Sequence, residues 1–582
     1  MCIGCVPGPM VLAQAFSRTM DADCPSINLM AAPASNHKGI PQAIFYGGSI
    51  ITMAGGFFCP VEALVTGGPS GQILYAGTLE GAKKMAGANT DMIDLGTRCL
   101  LPGFVEPHVH LLLTALMQKF FVNVTPLKAP TLNEALTRLK ERVRGADDNQ
   151  WLAGYGYDPA RVEGHLELSA KLLDEVSLTV PIVVLNDSGH IAYVNHKAFA
   201  VAGIDNSTAN PAGGEFQRDR DGRLTGVIVE QSAIAVFTKR LTPPPVPEFV
   251  ESGRETLRTW ASKGCTTIFD AGVGLVRPGT DMDVRLMSAV AAPPDCPIRL
   301  VGAMTSELAT FVKAAKPPYI AGNVEYRSIK FWADGSTQGF TGAVREPYLD
   351  DKGWGILTMS DTELRQGMAT WQKLGWQLLV HANADRAIDQ TLGAYDAILD
   401  HKPDPNIAHR IEHFTVTKPE QLVHAKRLGL GVSHTIGHVY YWGNVFRTWV
   451  LGPERAERLD PVAEDAANGL VFSFHSDSPV TDVDPLLYVR TAVMRQMYGR
   501  DPRDVLGREQ RVDLETALRG VTINAARHVM LGEQIGSLEV GKSADLVVLD
   551  RDPREVSPSD LDKVRVEQTW LRGRLVWSSA AR

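Results

Sequence analysis

Two textures of apolar and polar positions divide the chain. Between residues 43 and 94, short β-rich runs (AIFYGGSIITM, EALVTGG, GQILYAG, DMIDLG) alternate with glycine turns, and the same texture returns in ADLVVLD (544–550) and VEQTWLRGRLVW (566–577). Short strands at this spacing predict a small antiparallel sheet. Its recurrence at both ends predicts one β-sandwich assembled from residues 41–98 and 536–582. The middle reads differently: eight apolar runs, PGFVEPH, CTTIFDAG, IRLVGAM, SIKFWADG, WQLLVHA, HRIEHF, LGVSHT and VFSFHSDSP, mostly separated by amphipathic stretches such as ETLRTWASKG and PEQLVHAKRLG. Strand and helix in alternation imply a parallel sheet of the α/β class. Eight strands are the number that closes a (β/α)8 TIM-like barrel, here spanning 99–535.

Between the first and second of these runs lie roughly 150 residues, far more than a strand-to-helix connection needs. They carry WLAGYGYD (151–158), a strand in PIVVLNDSGH (181–190), a hairpin in GEFQRDRDGRLTG whose turn is Asp221-Gly222, and a helix after Glu230. An insertion over about 111–250, covering the barrel mouth, is expected.

Composition changes this picture little. The 582 residues are 44% hydrophobic and 21% charged with a net charge of −8, so neither nucleic acid nor an anionic membrane is an expected partner. No run of about 18 uncharged apolar residues is present, which removes a membrane span from the reading. Seven cysteines, an odd number and widely spaced after Cys59, fit reduced thiols in a cytoplasmic protein better than a disulfide framework. Cys2 and Cys5 have no second C-x-x-C pair to complete a zinc knuckle, and residues 1–40 read as a disordered leader. The expected partner is a small-molecule substrate, and a homodimer is left open.

Chemistry gathers at the C-terminal ends of the eight runs, the catalytic face of such barrels. The first ends in His108 and His110, the fourth carries Lys330, the fifth ends in His381, the sixth in His413 and the eighth in Asp477. In a strand, residues i and i+2 project alike, so a His-x-His pair can converge on one cation. Alone, each of these histidines is more often a satisfied core residue, and Asp477 a helix cap; their joint placement reverses that. Zinc accepts imidazole nitrogen and carboxylate oxygen. His108, His110 and Asp477 would hold one ion, His381 and His413 a second. A buried ammonium among cations is unfavourable, so carbamylation of Lys330 by CO2, giving an anion that bridges two metals, accounts for its position. Of the remaining polar and aromatic residues, His190, Trp332, His434 and Tyr441 are expected to contact substrate, with His438 and His475 as further candidates.

The motifs together resemble the amidohydrolase superfamily, and within it the amidohydrolase 3, YtcJ-like group. PGFVEPHVH is similar to the superfamily's P-G-[FL]-[IV]-[DE]-x-H-x-H signature; WLAGYGYD, DSGHIAYVN, TGVIVE, KFWADG, HANADRA, RIEH and SDSPV follow in the group's order, and IGSLEVGKSADLVVLDRDP (535–553) resembles the return into the sandwich. The resemblance covers about residues 43–577. It implies a hydrolase that cleaves a C–N bond, as in an amide, N-formyl, carbamate or cyclic amide group, by metal-activated hydroxide. One or two divalent ions, zinc being expected, would bind His108, His110, Lys330, His381, His413 and Asp477. Asp477 would also move the proton to the leaving amine. Aromatic residues near the same face (Trp332, Tyr440, Tyr441, Trp442, Tyr155, Tyr157) fit an apolar or aromatic substrate. Departures from the pattern are Ser188, an extra residue in the D-G-H motif that shifts His190; Glu106 in place of Asp; and Glu230, which competes with Lys330 as a ligand. A mononuclear deaminase and a catalytically silent regulatory protein on the same fold are the two rival readings.

Overall fold

The computed structural model describes residues 40–54, 61–143, 150–187, 189, 191–211, 214–229, 231–404 and 407–581. The expected leader (but for Ile40), the Cys2/Cys5 pair, His190 and Glu230 lie outside the described residues. Within them Cys99, Cys265 and Cys296 are free thiols, and no helix is long and apolar enough to cross a membrane.

All eight apolar runs of the middle region form strands: Phe104–Val109, Cys265–Val273, Arg299–Thr305, Val324–Trp332, Gln377–Ala382, Arg410–His413, Gly431–His434 and Val471–Phe474. Each pairs in parallel with the next in chain order. Such strands are covered on both faces, which is why their apolar character is continuous rather than alternating. Two backbone hydrogen bonds bring the last strand's exit against the first, Asp477 N–H to the His108 carbonyl at 3.2 Å and His110 N–H to the Ser478 carbonyl at 2.9 Å. The expected α/β barrel is therefore present, with its ends meeting at two of the candidate ligands. Helices such as Asp361–Gln372, started by a capping box between Ser360 and Glu363, pack around it. Ala525, Ala526, Val529 and Ile535 fill the interior against Val105, Phe269, Val301 and Leu379, leaving the opposite end to polar residues.

Two further sheets are built from both chain ends. One orders Gln72–Gly77, Ala63–Gly67, Pro41–Tyr46 and Asp91–Asp94; the other orders Ser49–Ile50, Cys99–Pro102, Leu546–Leu549, Val566–Leu571 and Arg574–Ser578. Phe45, Leu64, Ile73, Leu100, Leu546 and Val548 share one core between them, with Trp570 against it. The insertion contains more sheet than its sequence suggests, six strands in the order Glu215–Arg218, Leu224–Val229, Ile191–Val194, Ile182–Asn186, Leu152–Tyr157 and Val122–Asn123. Its expected hairpin turns at Gly222, whose φ is +77°, with Asp219 accepting the amides of Asp221 and Arg223. The insertion meets the barrel's polar end where Asp158 accepts from the Trp442 indole at 2.8 Å.

Candidate metal centre

His108 lies near the end of the first barrel strand and His110 just beyond it, at the start of helix Leu111–Phe120. Their Nε2 atoms stand 3.2 and 3.3 Å from the same oxygen, Asp477 Oδ1. The three residues offer ligand atoms within 4.8 Å of one another, as do His108, His413 and His475. The ring of His413 is 5.1 Å from that of His108 and 4.3 Å from that of His381. Lys330 Nζ is 3.5 Å from His108 Nε2, and all six expected ligands are buried. The structure thus brings His108, His110, Lys330, His381, His413 and Asp477 into one cluster.

Local backbone explains how they converge. Strand alternation would put His413 on the face opposite Glu412, but His413 (φ +72°) and Phe414 (φ +51°) adopt left-handed backbone, as does Asp477 (φ +58°). Non-glycine residues hold that conformation at a cost, usually where a site requires it.

Several side chains orient the cluster. His108 Nδ1 meets Glu412 Oε2 at 2.5 Å, and Arg410 donates to the same oxygen at 2.7 Å. Burial opposes a charge on Glu412, yet the Arg410 guanidinium and the His108 ring hold its carboxyl well below the usual range. The short contact fixes the His108 tautomer with Nδ1–H directed at Glu412, leaving the Nε2 lone pair for a cation. Asp270 accepts the amides of Leu111 and Gly272 and lies 3.9 Å from His110 Nδ1. His475 bonds Ser433 through Nδ1 at 2.7 Å and Thr435 through Nε2 at 2.8 Å, and stacks on His108 at 4.5 Å. Burial, with His108 and His413 beside it, pushes its pKa well below that of an ordinary histidine, so it is held as neutral imidazole.

A cation fits this donor set. His381 places Nε2 3.1 Å from the Gly335 carbonyl and 3.0 Å from Asn383, while its buried Nδ1 has no hydrogen-bond partner among the described residues. A buried ring nitrogen left without a partner calls for an explanation, and a bound metal ion would supply it. Asp334, a conceivable counter-charge for Lys330, is already taken up by the amides of Ala343, Asn383 and Ala384.

The expected substrate contacts are placed variously. Trp332 lies with its ring 5.6 Å from Lys330 Nζ, and both line a cavity of about 130 Å³. Tyr441 sits after the seventh strand, 5.4 Å below the Arg161 guanidinium. His434 directs Nε2 to Asp465 at 2.6 Å and Nδ1 to Asp460 at 3.4 Å. Burial opposes protonation of this ring, but the two carboxylates push it up to about 9. His190 lies outside the described residues. Sequence reasoning gave Glu412 no role; its signal was the i, i+2 relation to Arg410, which puts both on one strand face.

Comparison with known proteins agrees with this architecture. The sequence model of the Amidohydrolase family matches residues 91–577. The N-substituted formamide deformylase of Arthrobacter pascens is 26% identical over 525 residues, covering 88% of this chain and 94% of that protein. The YtcJ protein of Bacillus subtilis is 25% identical over 549 residues, 93% of this chain and 100% of that one. Among solved structures, an uncharacterised metal-dependent hydrolase of Pyrococcus horikoshii superposes with a TM-score of 0.70 at 23% identity, covering 89% of this chain and 99% of that one.

Proposed function

We propose, for a chain that belongs to the amidohydrolase family, that it hydrolyses a C–N bond of a small substrate, with N-formyl and N-acyl amines as the leading class. The observation carrying this reading is the convergence of two imidazole Nε2 atoms on one Asp477 oxygen, at 3.2 and 3.3 Å, at the C-terminal end of a barrel. The similarity to a formamide deformylase supports the N-formyl class.

His108, His110 and Asp477 would hold one divalent ion, and His381 and His413 a second; nitrogen and carboxylate donors in this number suit zinc. A bound divalent cation supplies Lewis acidity, polarising a carbonyl oxygen and making water nucleophilic near neutral pH. Asp477 accepts the proton of the attacking water and returns it to the leaving nitrogen, the step that lets an amine depart from a tetrahedral carbon. Glu412 fixes the tautomer of His108, and His475 holds the neighbouring ring by stacking. Lys330, 0% exposed and 3.5 Å from a candidate ligand nitrogen, is carbamylated in this reading, since an ammonium there would oppose cation binding.

Metal analysis of the purified protein, followed by assay of N-formylbenzylamine, N-acetylbenzylamine and a cyclic imide before and after chelation, tests the proposal. The expected result is zinc in at least equimolar amount and amine release that chelation abolishes and zinc restores. Ammonia release from an aminated heterocycle, with none of these substrates turned over, would replace it by a deaminase reading.

A further inference from the structure

A second cavity, of about 220 Å³, lies where the insertion meets the loop that follows the fourth barrel strand; Asp158, Glu167, Asp187, Tyr193, Phe340 and Trp449 are among its lining. Gln338, Gly339 and Phe340 also line it, and they follow shortly after Gly335, whose carbonyl is 3.1 Å from His381 Nε2.

Asp187 is the unusual residue here. It is 4% exposed, yet among the described residues neither carboxylate oxygen has a hydrogen-bond partner. Arg161 stays at 3.9 Å from it while its guanidinium lies over the rings of Trp442 at 4.3 Å and Tyr441 at 5.4 Å. The neighbouring Asp158, by contrast, accepts from the Ala160 amide at 3.0 Å and from the Trp442 indole. Burial, with Asp158 next to it, raises Asp187 to about 7. A buried carboxyl group without donors is costly unless something in the adjoining space donates to it.

The lining narrows what that donor can be. Three acids, one histidine (His165) and no lysine or arginine line the cavity among the described residues, a poor match for an anion. An apolar group would leave both Asp187 oxygens unsatisfied. Phe340 and Trp449 add little to cation recognition, since Lys352 Nζ already lies 5.0 and 4.2 Å from their centroids while donating to the Trp449 carbonyl, and His165 stacks on Trp449 at 5.3 Å. A buried carboxylate facing a cavity is matched by an N–H-bearing cation such as an ammonium or amidinium group.

We propose that this cavity is a recognition subsite for a cationic, N–H-bearing end of the substrate, with Asp187 as its counter-charge and Glu167 and Tyr193 beside it. The assignment rests on the C–N hydrolase reading, and selects, among N-formyl and N-acyl amines, those that carry a second, protonated nitrogen. Trp442 joins this subsite to the loop after the seventh barrel strand through its bond to Asp158.

Isothermal titration of the metal-loaded enzyme with benzamidinium and with its neutral, similarly shaped counterpart acetophenone tests the assignment. Benzamidinium is expected to bind at least about tenfold tighter, the worth of a charge-assisted hydrogen bond. The preference should vanish in Asp187→Asn and shrink in Glu167→Gln, which alters an exposed residue and serves if the buried variant does not fold. Equal affinity for the two probes, or a preference untouched by both substitutions, overturns the proposal. Hydrolysis of N-formylbenzylamine by the unaltered enzyme is read in parallel. Turnover without a cation preference refutes the subsite alone, whereas a cation preference without turnover refutes the C–N reading and leaves a cation-binding cavity.

Discussion

Replacing Glu412 by Gln removes one negative charge from a buried triad without changing its shape. The carboxylate meets His108 Nδ1 at 2.5 Å and Arg410 at 2.7 Å, and Arg410 has two other acceptors, the carbonyls of His528 and Pro107, both at 3.1 Å. In Glu412→Gln the guanidinium keeps those carbonyls but loses its counter-charge, and breaking a buried pair in this way costs about 3–5 kcal/mol. Both contacts fall on one oxygen, Oε2, so an amide oxygen in its place keeps them only as weaker bonds to a neutral acceptor, while the amide NH2 takes the position of Oε1, which has no hydrogen-bond partner among the described residues. A ligand histidine that loses its orienting carboxylate loses roughly 10–100-fold in metal affinity. Two measurements separate these effects: urea unfolding of the metal-free protein and zinc affinity by competition with a chelator. The double variant Arg410→Met/Glu412→Gln removes the stranded charge, so it should regain much of the stability while zinc binding stays weak. Zinc affinity equal to that of the unaltered protein in Glu412→Gln, alongside a stability loss, would make Glu412 a counter-ion for Arg410 and nothing more.

Asp477→Asn should keep the far-ultraviolet circular dichroism of the parent while turnover falls by about two to four orders of magnitude, the usual worth of a proton-transfer group; near-parental activity would contradict its role. Lys330→Ala should lose activity and bound metal and recover both in millimolar acetate or propionate, and the absence of any rescue with metal content unchanged would argue against a carbamate. For His434 the sign is set by its raised value: flanked by Asp465 and Asp460 and shifted to about 9, the ring stabilises the fold fully below its unfolded value of about 6.5 and loses that contribution as pH rises through about 9. Denaturant titrations between pH 6 and 10 should therefore show an alkaline decline that His434→Gln lacks, and parallel profiles would refute the charged assignment.

The barrel was legible because its strands are buried on both faces and read as largely apolar runs such as CTTIFDAG, whose residues from Cys265 to Gly272 are all buried. The candidate ligands were legible because all but Lys330, which lies within its strand, stand at the end of such a run. What strand alternation could not reveal follows from the backbone at His413 and Asp477, where left-handed φ values turn side chains inward that a regular strand would turn away. Glu412 therefore shares the barrel interior with its own neighbour. The insertion was harder to read. WLAGYGYD carries aromatic strand formers, but Gly154 and Gly156 interrupt them; Gly156 is required by a φ of +85° and by Thr125 Cγ2, which would lie 2.3 Å from an added Cβ. Its pairing with Val122–Asn123 and Ile182–Asn186 joins segments whose spacing carries no hairpin signature.

Strand Cys99–Pro102 runs through Gly103 straight into the strand that bears His108, and pairs with Leu546–Leu549 while the Gly103 amide donates to the Asp545 carbonyl at 2.8 Å. On the ribosome this has a consequence for timing. The segment holding His108 and His110 emerges early, yet its partner at Leu546–Leu549 and Asp477, whose Oδ1 lies 3.2 and 3.3 Å from the two histidines, are translated only near the end. Domains whose contacts span so much sequence form slowly and expose unpaired edges meanwhile. In the proposed site metal loading would thus come late in biogenesis, and a chain halted before residue 477 should leave the ribosome with His108 and His110 made but without the carboxylate that completes their site.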